Sequence, residues 1–105
     1  MIWKNSKLAC VYYGKDAADE NWPCTVKIEN GEILVEYDND GLVQYAGKEK
    51  GTGYFELASD QVNGKATLHQ RPSSLILEGS WVENSLRGMW LIELANFEAD
   101  DVSSA

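Results

Sequence analysis

The stretch CTVKIENGEILVEY, residues 24–37, specifies its own partner. Asn30-Gly31 suits a two-residue type I′ turn, which needs positive φ at both central positions. A turn there pairs Ile28 with Ile33, Val26 with Val35 and Cys24 with Tyr37. All six then share one face, while Lys27, Glu29, Glu32 and Glu36 point elsewhere. Side chains alternate with a period of two, so a slip of one residue would turn the whole apolar set outward. Turn chemistry and apolar pattern agree on one register, and they commit this part of the chain to antiparallel sheet.

The rest of the chain repeats the logic with weaker punctuation. Asn39-Asp40-Gly41 reads as a three-residue loop that pairs Tyr37 with Val43 and Val35 with Tyr45. After the KEKGT segment, one register sets Phe55 beside Tyr45 and Leu57 beside Val43. Pro72 ends the following strand, because proline removes a ladder donor. A tight turn near 72–73 sets Leu68 against Leu77 and Ala66 against Gly79. The break NSL sets Trp81 against Trp90, Gly79 against Ile92 and Leu77 against Leu94. Helical periodicity is nearly absent; DAADEN, 16–21, is the exception and could form one turn.

The expected strands are 7–13, 24–29, 32–38, 42–47, 53–58, 65–71, 74–83 and 86–94. The fold class is therefore all-β, an up-and-down antiparallel meander of about eight strands. With no helix to cover its apolar face, such a sheet should curl into a small lipocalin-like barrel, which removes both edges. Closure requires KLACVYY to pair with the last strand. Residues 1–97 form one barrel domain, and the acidic tail 98–105 is expected to fray.

Charge narrows the partners. The formal net charge of −8 repels phosphate backbones and argues against nucleic acid. No run reaches membrane-spanning length, and MIWKNSKLACVYYG lacks the apolar core of a signal peptide. A cytoplasmic location is expected, with Cys10 and Cys24 as free thiols in apolar, strand-like surroundings. Two cysteines and one histidine make no zinc signature, and no cofactor motif is present.

Glycine and an aromatic residue recur together in GTGYFEL, EGSWVE and RGMWLIEL. In a small barrel, glycine permits the bends that closure needs, and a ring from a neighbouring strand covers the space it leaves. Gly79-Ser80-Trp81 resembles the Gly-x-Trp of calycin barrels, the lipocalin-like and avidin-like group, although there it lies on the first strand and here on the seventh. The stretch from Gly64 to Trp90 also resembles small bacterial proteins of that kind, which implies no activity. The calycin resemblance implies a barrel that takes a small apolar or aromatic ligand at one mouth.

The inward face of such a barrel would carry Tyr37, Tyr45, Phe55, Trp81 and Trp90, with Gly47, Gly53, Ala66 and Gly79 between them. These five aromatic residues are the candidate ligand site. The competing reading is a core, since a barrel of eight strands is just wide enough for its own side chains to fill. On the outer face, His69 falls beside Ile76 and Glu56, and Glu78 opposes Glu93. A Glu–His–Glu group could bind a metal or move protons, but a solvated polar surface explains the same residues. Arg87 could stack on the Trp81–Trp90 pair. No nucleophile elbow, phosphate loop or His-Glu-x-x-His motif points to an enzyme. Two function classes stand: a small-molecule-binding barrel, and an acidic module that binds a basic protein partner. A homodimer fits either.

Overall fold

A computed structural model describes residues 2–12, 17–38, 41–95 and 97–98. Nine strands run in order: β1 (Ile2–Tyr12), β2 (Ala17–Glu29), β3 (Glu32–Asp38), β4 (Leu42–Gly51), β5 (Tyr54–Ser59), β6 (Gly64–Gln70), β7 (Ile76–Glu83), β8 (Leu86–Glu93) and β9 (Phe97–Glu98). There is no helix among the described residues. Each of β2 to β7 pairs antiparallel with the next, and β1 pairs with both β8 and β2, so eight strands close into a barrel. The ninth strand extends the sheet from the start of β1, with Trp3 opposite Phe97 and Ile2 opposite Glu98. Residues 99–105, most of the expected tail, lie outside the described residues.

The Asn30-Gly31 turn forms as its chemistry requires, with φ of 53° and 77°. Ile28 pairs with Ile33, Val26 with Val35 and Cys24 with Tyr37. Residues 39–40 of the next loop lie outside the described residues, but its flanks pair as expected, Tyr37 with Val43 and Val35 with Tyr45.

Three later registers differ from expectation. Phe55 pairs with Glu49 rather than Tyr45, and Leu57 with Gly47, because β4 runs on to Gly51 through an irregularity before the Thr52-Gly53 turn. Between β6 and β7, Ala66 meets Trp81 rather than Gly79, and Gln70 meets Leu77. The connection there is a wider turn, closed by the Ser74 N–H donating to Arg71 O at 3.0 Å, with Ser73 at φ 63°. Between β7 and β8, Asn84 adopts φ 55° and Asn84-Ser85 makes a two-residue turn. Trp81 therefore faces Gly88, Gly79 faces Trp90 and Leu77 faces Ile92. Each shift is an even number of residues, so every side chain stays on its expected face.

DAADEN is not helical over its described part, because β2 begins at Ala17 and pairs with the end of β1, Tyr12 opposite Ala17 and Cys10 opposite Asp19. Pairing with a neighbouring strand overrides the weak local helical preference. The first strand also starts at Ile2 instead of residue 7.

In an up-and-down barrel, alternate connections gather at opposite ends. The turns after β2, β4 and β6 mark the lower end, and those after β1, β3, β5 and β7 mark the upper end. Val26, Val35, Leu68, Leu77 and Ile92 are fully buried in the interior. Burying each such side chain stabilises the fold by about 1.5–3 kcal/mol.

Glycine and ring interlock across the strands. A Cβ at Gly79 would lie 1.9 Å from Thr67 O on β6, and one at Gly88 would lie 1.7 Å from Val11 O on β1. The bare backbone lets neighbouring strands close in at both places. Trp90 reaches from β8 across Gly79, donating its indole N–H to Thr67 O at 3.0 Å. Trp81 lies against Gly88 and donates to Met89 O at 3.2 Å.

Candidate functional site

The upper end collects most of the chemistry of the interior. Tyr12 ends β1, Trp22 lies midway along β2 beside the end of β3, Tyr37 nearly ends β3 and Glu83 ends β7. They surround a cavity of about 40 Å³ whose deeper walls are Leu8, Tyr45, Trp81 and Trp90. The deep residues are buried, whereas Cys10, Tyr12, Trp22, Tyr37 and Glu83 are half-buried and form a rim that water reaches. The volume is room for a water molecule or a group of similar size. The barrel is thus largely filled by its own side chains, and a small recess remains near one mouth.

The rings meet edge to face: Tyr12 with Trp81 at 5.2 Å, Trp22 with Tyr37 at 6.2 Å and Tyr45 with Trp90 at 5.3 Å between centroids. Such geometries set the positive edge of one ring against the negative face of another. Trp22 is also tied to the end of β3, its indole donating to Asp38 O at 2.8 Å.

Tyr45, 1% exposed, donates its hydroxyl to Glu83 Oε2 at 2.5 Å. The bond depends on Gly64, which stands opposite Glu83; a Cβ there would lie 2.1 Å from the Tyr45 hydroxyl oxygen. Burial, with the hydrogen bond and the charge of Glu83, pushes the Tyr45 phenol well above its ordinary value. Tyr37 rises for the same leading reason, burial, with Glu83 adding to it. Both phenols therefore stay neutral donors through the physiological range. Burial pushes the Cys24 thiol up to about 12, with Cys10 adding to the shift. Cys10 and Cys24 are both free.

Ser59 ends β5 opposite Gly64 and is 5% exposed. Its hydroxyl has no hydrogen-bond partner among the described residues. By contrast the buried Ser6 is satisfied, donating to Trp3 O and accepting from the Ala95 N–H. An unpaired buried hydroxyl costs on the order of 1–3 kcal/mol, so Ser59 marks a polar position that the protein's own groups do not serve.

Four of the five aromatic candidates, Tyr37, Tyr45, Trp81 and Trp90, line the recess. Phe55 is buried but sits one residue into β5, at the lower end, outside the recess lining. Trp81 and Trp90 both face inward, as expected, but are not opposed to one another; each covers a glycine of the adjacent strand. Gly53 belongs to the turn before β5, with φ 74°, rather than to the interior. Sequence reasoning passed over Tyr12, Trp22, Cys10 and Glu83. The alternation within β7 places Glu83 on the face of Trp81, a signal that could have found it.

The outer-face expectations fare differently. Glu78 stands opposite His69 and Leu91, while Glu93 stands opposite Lys7 and Ile76, so the two carboxylates are not opposed. His69 pairs with Tyr54 and stacks on its ring at 4.8 Å, while Glu56 accepts from the Tyr54 hydroxyl at 2.8 Å. These reassignments follow from the register shifts. No group of metal-ligating side chains occurs among the described residues. Arg87 is exposed opposite Val82, on the face away from the two tryptophans, so it cannot stack on their pair.

Wider hollows of about 530 and 610 Å³ lie on the outer face, along Lys27, Leu34 and Lys48 and along Ala46, Ala58, Lys65 and Val82. Their walls are mostly small or charged outward side chains, without the convergence of rings and polar groups found at the upper end. The chain matches no family model, no curated protein and no solved structure.

Proposed function

We propose that the protein is a non-enzymatic small-molecule-binding barrel whose site is the aromatic recess at its upper end. One observation carries this reading: among the described residues, six aromatic side chains and a single carboxylate converge on a recess that water reaches. Ligand sites are concave, largely apolar and carry few well-placed polar groups. The recess is too small for a whole ligand of ordinary size. A bound molecule inserts one group and lays the rest along Tyr12, Trp22 and Tyr37. The resemblance of Gly79-Ser80-Trp81 to the calycin Gly-x-Trp supports the same reading.

Native mass spectrometry of the freshly purified chain tests it. The expected result is a retained small molecule, or uptake from a library of small aromatic compounds, that weakens in Trp22→Ala while circular dichroism is unchanged. Uptake that is absent, or indifferent to Trp22→Ala, would overturn it.

The second reading, an acidic module for a basic protein, draws on the net charge of −8 and the outward, exposed Glu29, Glu32, Glu56 and Glu93. Such a surface would speed association with a basic partner. Its test is capture of a basic protein that Glu29→Lys and Glu32→Lys together abolish.

A further inference from the structure

We infer that the group received by the upper recess is a primary ammonium, so that the ligand is a small amine on an apolar or aromatic stem. This rests on the recess being a binding site, and adds the chemistry of what it takes.

Among the described residues, Glu83 is the only acidic one lining the recess. Among the described residues its one bonded partner is Tyr45, and no lysine or arginine pairs with it. An ionised carboxylate can accept about four hydrogen bonds, and the phenol uses one of these sites. A half-buried carboxylate with no cation is costly, and its natural complement is a positive charge.

The surroundings favour a cation as well. Tyr12, Trp22, Tyr37, Tyr45, Trp81 and Trp90 line the same space, and the faces of such rings attract ammonium groups. An anionic ligand would meet Glu83 with like charge and find no cation among the lining residues. Size selects the head group: about 40 Å³ suits an –NH3⁺ better than a quaternary ammonium. The ammonium would donate to the free lone pairs of Glu83, with the stem against Trp22 and Tyr37 at the rim.

The experiment compares benzylamine, benzyl alcohol and benzoate at neutral pH, followed by quenching of tryptophan fluorescence. Benzylamine should bind about tenfold or more tightly than benzyl alcohol, and benzoate more weakly than either. Glu83→Gln, which keeps an acceptor for Tyr45 but removes the charge, should erase the preference for the amine over the alcohol. Glu93→Gln, on the outer face, should change neither. Equal binding of amine and alcohol by the unchanged chain would overturn the ammonium assignment while leaving the recess a binding site. An amine preference that survives in Glu83→Gln would overturn it too. Failure of all three compounds to bind would overturn both readings. The comparison on the unchanged chain decides the matter even if Glu83→Gln does not fold.

Discussion

At the lower end of the barrel Leu77 and Ile92, both fully buried, face one another across β7 and β8. At the upper end Tyr45 is almost as deeply buried, yet it carries a hydroxyl and meets the carboxylate of Glu83. Apolar side chains are satisfied by burial alone, and many similar residues could serve. The upper end hangs on particular atoms: one hydroxyl, one carboxylate and one missing side chain at Gly64. Two ends of one small barrel thus differ in what holds them together: apolar volume below, particular polar atoms above. The lower end should respond to lost volume, and the upper end to lost or added polar atoms.

The largest effect should come from the lower end. Leu77→Ala removes a fully buried side chain and should cost about 2–5 kcal/mol in denaturant unfolding. A cost below about 1 kcal/mol would show that this end is not tightly packed. Gly64→Ala should cost about 1–3 kcal/mol, because the new methyl takes the place of the Tyr45 hydroxyl. Combined with Tyr45→Phe, part of that loss should return; strictly additive losses would break the link between Gly64 and the Tyr45–Glu83 bond.

Alkali should find the upper end next. The Cys24 thiol lies at about 12 against an ordinary 9.0, and Tyr37 and Tyr45 are raised above their ordinary 10.0. Above these ordinary values the unfolded chain ionises before the folded one and so holds fewer protons. Stability contributed by these groups is therefore complete below about pH 9 and falls as pH rises, by up to about 1.4 kcal/mol per pH unit for each group. Cys24→Ala should remove the first part of that fall. A stability flat from about pH 9 to 11 would show that these groups are hydrated. The smallest effect belongs to the outer face: Glu78→Gln should stay within about 0.5 kcal/mol, and a loss of several would mean that this carboxylate has a structural partner.

The same contrast explains what the sequence made legible. Facing was readable within the strands, because alternation assigns each side chain to one face: Val26, Val35, Tyr45, Trp81 and Trp90 are buried as expected. Register was readable only where the turn named itself, as Asn30-Gly31 does. Asn84-Ser85 makes an equally tight turn with Asn84 in a positive-φ conformation, but without a glycine it gave no comparable signal. Alternation cannot detect a slip by two, so it is equally consistent with Trp81 opposite Trp90 and with the observed partner, Gly88. The candidate site suffered more than the fold. Its aromatic floor follows from facing, and alternation within β7 puts Glu83 on the same face, but Tyr12 and Trp22 join them through the pairing of β1 with β8 and β2, which no local pattern encodes.

The four tryptophans report on both ends at once. Trp22, Trp81 and Trp90 line the upper recess, whereas Trp3 lies near the start of β1, at the lower end. The indole N–H region of a ¹H–¹⁵N spectrum, recorded while benzylamine is titrated with benzyl alcohol alongside, tests the division most directly. The signals of Trp22, Trp81 and Trp90 should move together and saturate while that of Trp3 stays in place. Movement of Trp3 with the others, or of none of the upper three, would contradict the assignment of binding to the upper end.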